Sequence, residues 1–260
     1  MFQPPAPQPE PAANEAFYIA AVEEMKQHLR AVLALPELPK FLETKQLPKA
    51  FFDEWNAFLS AYDRLIDRVL EQDPPEKAIA CKKGCSNCCI DLVRGINTPE
   101  IINIYHHVRR WDDCKQLFEY HRESAEKFGE LLMAKGSAGE TPPDGRDPRV
   151  AEAHVEFNRL NRPCGFLDQE TGCCRIYPVR PLACRYFFSV DPPETCSPLH
   201  VKYLNRRTRM VHLPEEIHAL IRDVDHAFGF RPLNYLSGAF CDFTAAKMRL
   251  KVIEVTGDGD

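Results

Sequence analysis

The sequence predicts a mainly α-helical fold in which helices pack around a loop-rich, cysteine-bearing centre. Apolar residues recur at helical spacing through long stretches, and strand signals are thin. Most of the eleven cysteines fall in two short segments, Cys81 to Cys89 and Cys164 to Cys196. With 260 residues, 44% of them hydrophobic, the chain is long enough to bury a core, as one large domain or two small ones.

Residues 1–14 are proline-rich and are expected to form a disordered tail, because proline at this density builds neither helix nor core. From Glu15 to about Leu35, Phe17, Ala20, Ala21, Met25, Leu29, Val32 and Leu33 mark one face of a helix, which Pro36 and Pro39 end. A second helix is expected from about Pro48 to Glu71. Phe51, Phe52, Trp55, Phe58, Leu59, Tyr62, Leu65, Ile66 and Val69 form its apolar side, and Asp73-Pro74-Pro75 closes it. These helices, residues 15–75, carry little reactive chemistry and read as scaffold. They are expected to form one unit with a cysteine-bearing domain over 76–256.

Downstream of the first cysteine segment, Asn97-Thr98-Pro99-Glu100 is a helix start, with a capping side chain, a proline in the first turn and an acid near the positive end of the dipole. That helix is expected to reach Arg110, and another to cover Asp112 to Ala134. Gly136 to Pro148 reads as an exposed loop. A short helix through Val150 to Leu160 leads into the second cysteine segment. Pro214 to Phe228 and Ser237 to Val252 complete the helices, and Lys251 to Val255 is the best short strand.

Met1 to Asn14 has one acid, no base and no apolar stretch, so no secretory signal is expected there. The chain has no run of about 18 apolar residues such as a membrane span needs. A cytoplasmic location is therefore expected, and a reducing cytosol favours free thiols as metal ligands or catalytic groups over disulfides. The net charge of −5 gives no global reason to expect nucleic acid.

The first segment reads Cys81-Lys-Lys-Gly-Cys85-Ser-Asn-Cys88-Cys89. Two thiolates aimed at one ion need a tight turn, which two intervening residues provide between Cys85 and Cys88. Gly84 and Asn87 tolerate the positive backbone angles of such turns. Cys81 lies one short turn upstream. Adjacent Cys88 and Cys89 do not easily point the same way, so one of them can serve a second site. In the second segment Cys164, Cys174 and Cys184 are joined by connections that Pro178 and Pro181 stiffen, and Cys196 follows twelve residues after Cys184. Cys173 ranks below its neighbour Cys174 as a ligand. Cys114 and Cys241 sit at helical positions and are expected in the core. Lys82, Lys83, Arg175, Arg180 and Arg185 crowd the cysteines in sequence, and cations offset the charge of metal-bound thiolates. Arg175, Arg180 and Arg185 are accordingly the candidates to hold a cofactor.

The Cys-x3-Cys-x2-Cys-Cys run, followed in order by Cys164 to Leu167, Cys174 to Tyr177 and Arg180 to Arg185, resembles the YkgJ-like family of zinc- or iron-chelating cysteine-cluster proteins. The resemblance covers roughly Cys81 to Cys196 and implies metal chelation. The doubled Cys173-Cys174 departs from the single cysteine of that pattern. The flagellin lysine-N-methylase group has a similar cysteine pattern, and that likeness implies an iron–sulfur cluster and methyl transfer from S-adenosylmethionine.

Eight candidate ligands, Cys81, Cys85, Cys88, Cys89, Cys164, Cys174, Cys184 and Cys196, could serve two zincs, one cluster and a zinc, or a single cluster such as 4Fe-4S. All-cysteine, irregular, arginine-rich surroundings favour iron–sulfur over zinc. The alternative is an iron–sulfur-dependent methyltransferase-like enzyme acting on a protein side chain. No glycine-rich cofactor turn, Walker loop or nucleophile elbow occurs, so catalytic residues are not assigned. His106, His107, His154, His200 and His212 read as surface or packing residues. A protein partner is a further expectation. Lys202, Arg206, Arg207 and Arg209 with Tyr203 form a basic stretch that reads as a solvated face rather than a nucleic-acid site.

Overall fold

The computed structural model describes residues 12–72, 74–75, 78–82, 84–136, 147–245 and 250–253. Among these, α1 (Ala12–Leu33) and α3 (Lys49–Gln72) are the longest helices and lie against each other. The helical spacing of their apolar residues explains the contact. Val22, Met25, Leu29 and Val32 from one, and Phe51, Trp55, Phe58, Tyr62 and Leu65 from the other, are almost fully buried. Between them, α2 (Phe41–Thr44) ends at Lys45, which takes the left-handed conformation at φ 55°, and β1 (Gln46–Pro48) follows.

Four further helices frame the cysteine region: α4 (Thr98–Val108), α5 (Cys114–Met133), α6 (Pro148–Arg159) and α7 (Glu215–Ala227). A fifth, α8 (Leu236–Ala245), packs on α5 and α4, while α7 packs on α1. The start of α4 follows from its sequence. Glu100 Oε2 accepts hydrogen bonds from the Asn97 amide and side chain at 2.8 and 2.9 Å, while Thr98 N donates to Asp225 of α7 at 2.6 Å. One hydrophobic cluster joins residues of α1, α3, α4, α7 and α8. A smaller one, Leu92, Phe128, Ala153 and Phe157, fixes the chain leaving the first cysteine segment against α5 and α6.

The strands are short. Strand β4 (Lys251–Ile253) runs parallel to β1, and β2 (Phe187–Ser189) pairs antiparallel with β3 (Thr208–Met210). The structure corrects the expected helix from Ser237 to Val252. Helix is described only to Ala245, and Lys251 and Val252 are extended because their backbones pair with Gln46 and Leu47. Helix α1 also starts earlier than Glu15, at Ala12. The rest of the proline-rich tail, most of the loop from Gly136 to Pro148, Lys83, Asp73 and the end of the expected strand at Val255 lie outside the described residues. Among the described residues no helix is long and apolar enough to cross a membrane.

Arg185 ties the cysteine region to the helical scaffold. Its side chain is fully buried and makes three hydrogen bonds, to the Asp63 carboxylate of α3 and to the carbonyls of Arg180 and Pro178. Tyr62, one residue before Asp63, donates to the Val211 carbonyl at 2.5 Å. Glu100 reaches the same region, with its Oε1 accepting from Leu182 N at 2.7 Å, two residues before Cys184.

Candidate metal centre

The first cysteine segment is a pair of tight turns. Gly84 has φ +82°, Cys85 N donates to Lys82 O, and Asn87–Ile90 forms a single 3-10 turn carrying Cys88 and Cys89. The second segment begins as a small hairpin. Arg175 N donates to Phe166 O, Asp168 N donates to Cys173 O, and Leu167 pairs with Cys174. Asp168 Oδ1 accepts from the amides of Glu170 and Thr171, which shapes the tip before Gly172 at φ +69°. Proline-led 3-10 turns at Tyr177–Val179, Leu182–Cys184 and Pro193–Cys196 then fold the chain back towards the first segment.

The two segments meet. Cys164 N donates to Cys89 O at 2.6 Å, and Ala80 N donates to Ser189 O at 2.8 Å. The turn bearing Cys88 and Cys89 packs on the turn ending at Cys196. Backbone meets backbone at the two glycines, where a Cβ on Gly172 would lie 2.6 Å from Gly84 O. Glycine at 172 is therefore a steric requirement of the junction as well as a conformational one, while Gly84 is favoured by its positive φ.

Amides are aimed at several sulfurs. Ser189 N lies 3.2 Å from Cys81 Sγ. The backbone of Phe166 and of Ile176 bonds the Cys164 and Cys174 sulfurs two residues upstream, and Ser189 also bonds Cys196 through its side chain. Donors directed at sulfur favour thiolate over thiol. Burial opposes them. It pushes Cys81, Cys174 and Cys196 above the ordinary thiol range and Cys164 up to about 12. Cys88 is raised first by its hydrogen bond with Cys89. A metal that binds thiols does so by displacing their protons.

Among the described residues no three donor side chains close to bonding distance around one point. The sulfurs are neighbours that act on one another rather than a closed shell. Cys81 feels Cys85, Cys88 and Cys196, while Cys184 feels Cys164, Cys88 and Cys174. The chemistry of this donor set, soft thiols with amides directed at them, fits zinc or iron. Cys173 points its thiol to the Thr171 carbonyl at 3.7 Å, whereas Cys174 lies within the influence of Cys88. Cys114 and Cys241, expected in the core, are only partly buried. A thiol is small and tolerates a helix flank as readily as an interior.

Of the three arginines singled out in the sequence, Arg180 lowers both Cys174 and Cys184, and its guanidinium lies over the Tyr177 ring at 3.9 Å. Arg185 also acts on Cys174 while holding Asp63. Arg175 is engaged elsewhere. It grips Asp113 through two nitrogens, at 2.6 and 2.9 Å, and stacks over Trp111 at 4.3 Å.

Two features escaped the sequence reading. Arg206, placed there in a solvated basic stretch, stacks between Tyr203 and Phe187 and lowers Cys196. Asp91, two residues past Cys89, accepts from His154 Nε2 at 2.6 Å, Asn158 Nδ2 at 2.8 Å and the Tyr203 hydroxyl. Burial raises the Asp91 carboxyl, but these bonds outweigh it and keep the group below its usual range. Asn158 also accepts from Leu92 N at 3.2 Å, so helix α6 holds the exit of the first cysteine segment. An Asp–His–Tyr contact across more than a hundred residues leaves no local spacing signal.

No curated protein and no solved structure matches the chain. Residues 80–197 match the model of the CxxCxxCC family, "Putative zinc- or iron-chelating domain".

Proposed function

We propose that this chain is a cytoplasmic metal-binding protein that holds zinc or an iron–sulfur centre. The thiolates come from both segments, drawn from Cys81, Cys85, Cys88, Cys89, Cys164, Cys174, Cys184 and Cys196. The observation that carries this reading is the junction between segments 75 residues apart in sequence, from Cys89 to Cys164. The bond from Cys164 N to Cys89 O and the close approach of Gly172 to Gly84 bring thiols from both into mutual influence. Disulfides would join sulfurs in pairs, whereas Cys81 and Cys184 each lie within the influence of three other sulfurs. Arg180 and Arg206 supply positive charge beside them, as a thiolate-rich centre needs.

The test is elemental analysis with absorption and Mössbauer spectra on anaerobically purified full-length protein. Brown protein absorbing near 400 nm identifies iron–sulfur; colourless protein with stoichiometric zinc identifies zinc. Protein with neither metal in stoichiometric amount overturns the proposal.

A further inference from the structure

Past Cys196 the chain makes an excursion before it returns as β3 to pair with β2. Between Glu194 and Glu215 it carries Lys202, Arg206, Arg207 and Arg209 and no acid, although the whole chain has 38 acidic residues. Positive charge is therefore local to this excursion on a chain that is acidic overall. Its turn also bears the two most exposed large apolar side chains of the described residues. Val201 is 91% and Leu204 88% exposed, with Leu199 at 47% beside them. Single exposed aliphatics are ordinary, but three within six residues around an exposed lysine form a patch.

The turn is firmly built. The amides of His200, Tyr203 and Asn205 donate to the carbonyls of Ser197, His200 and Lys202 at 2.9, 2.9 and 3.0 Å, and Lys202 N donates to His200 Nδ1 at 3.1 Å. On the inner side the Tyr203 hydroxyl donates to Asp91, and Arg206 stacks between the Tyr203 and Phe187 rings. Tyr203 is thus spent on the body of the protein. Val201 and Leu204, three residues apart in a turn of i→i+3 bonds, are left outside it.

The chemistry of the patch selects its partner. Protein hot spots favour Trp, Tyr and Arg seated in pockets, with Leu and Val under-represented. Protruding aliphatics beside a cation suit a lipid interface, where the apolar groups pass below the headgroups and the amine stays with the phosphates. Amides already bonded within the turn lose no partner on entering that interface. Arg207 is held by Asp191, so Lys202 is the cation carried between the aliphatics.

We propose that the turn over residues 199–204 is a membrane-contact tip that seats this protein reversibly on an anionic lipid surface. Leu199, Val201 and Leu204 enter the acyl boundary, and Lys202 meets the headgroup phosphates. The proposal goes beyond metal binding and does not depend on it.

The test is flotation of the full-length protein with phosphatidylcholine vesicles, with and without phosphatidylglycerol. The expected result is flotation with the anionic vesicles alone, weakened by salt as screening requires. The double variant Val201→Ser with Leu204→Ser should lose about tenfold or more in lipid affinity at low salt, because both aliphatics no longer gain from the acyl boundary. Lys202→Glu should weaken binding without removing an apolar side chain from the tip. Ile19→Ser, at an exposed aliphatic of α1, should bind as the unsubstituted chain does. Protein that stays in solution with anionic vesicles at low salt overturns the proposal. So does flotation that ignores headgroup charge, or binding that survives both tip variants. A concentration-dependent dimer of the lipid-free protein, abolished by the double variant, would give the tip to a second copy and overturn the proposal as well.

Discussion

Replacing Gly172 by alanine should separate the two cysteine segments. Two costs add at this position. At φ +69° a Cβ is strained by about 1 kcal/mol. The same Cβ would stand 2.6 Å from Gly84 O, a backbone atom that cannot rotate away, so the segments must shift. Overpacking of this kind costs ~1–3 kcal/mol. The sum, ~2–4 kcal/mol, corresponds to a fall in melting temperature of roughly 4–16 °C for a chain this long. The matched control is Gly136→Ala, at φ +81° with nothing within 4 Å of the added Cβ, which should lose only the first cost. Thermal melts of both variants, with metal retention measured against a competing chelator, provide the assay. Gly172→Ala should melt lower than Gly136→Ala and surrender its metal more readily. Equal melting and equal retention would refute the claim that the glycine contact holds the segments together.

Other perturbations follow from the same contacts. Arg185→Met leaves the Asp63 carboxylate and two carbonyls without their donor and should cost about 3 kcal/mol in denaturant unfolding; an unchanged midpoint would show the buried bonds to be dispensable. Glu100→Ala removes the acceptor of three bonds at the start of α4 and before Cys184, so stability and metal retention should fall together; loss of stability with retention intact would uncouple α4 from the centre. Cys85→Ser and Cys88→Ser should each lower metal content, and the unsubstituted stoichiometry in both would count against thiolate ligation. Burial holds His121 at about 3 and His106 at about 4, so both stay neutral in the folded chain while the unfolded chain takes up protons below about 6.5. Their contribution is complete above that pH and is lost as pH falls towards 3 to 4. The slope is at most ~1.4 kcal/mol per pH unit for each histidine, less for half-exposed His106. Unfolding of His121→Gln between pH 6 and 4 should show a shallower slope, and an identical slope would remove His121 from the account.

The helices were legible because period and punctuation agreed. The cap at Asn97, the proline after it and the acid at Glu100 fixed the start of α4 to the residue, and the aromatic face of α3 located the core. What failed was local inference about non-local partners. Nothing within Lys251-Val252-Ile253 reveals that Gln46 to Pro48 will pair with it, so the last helix was extended too far. The cysteines were visible as a set, and the structure brings their segments together. How their turns pack on one another, however, is set by the non-local contact of the turn at Cys88 with the turn ending at Cys196. Charge was misplaced for the same reason. Arg175 lies next to Cys174 in sequence but is taken by Asp113, while Arg206, ten residues past Cys196, is returned to it by the β2–β3 pairing.

The most direct test of the central claim is X-ray absorption at the edge of whichever metal the anaerobically purified, full-length protein contains. A first shell made only of sulfur, at about 2.3 Å, is the predicted result. A shell dominated by nitrogen or oxygen, or one that persists unchanged when Cys88 and Cys184 are both replaced by serine, would contradict it.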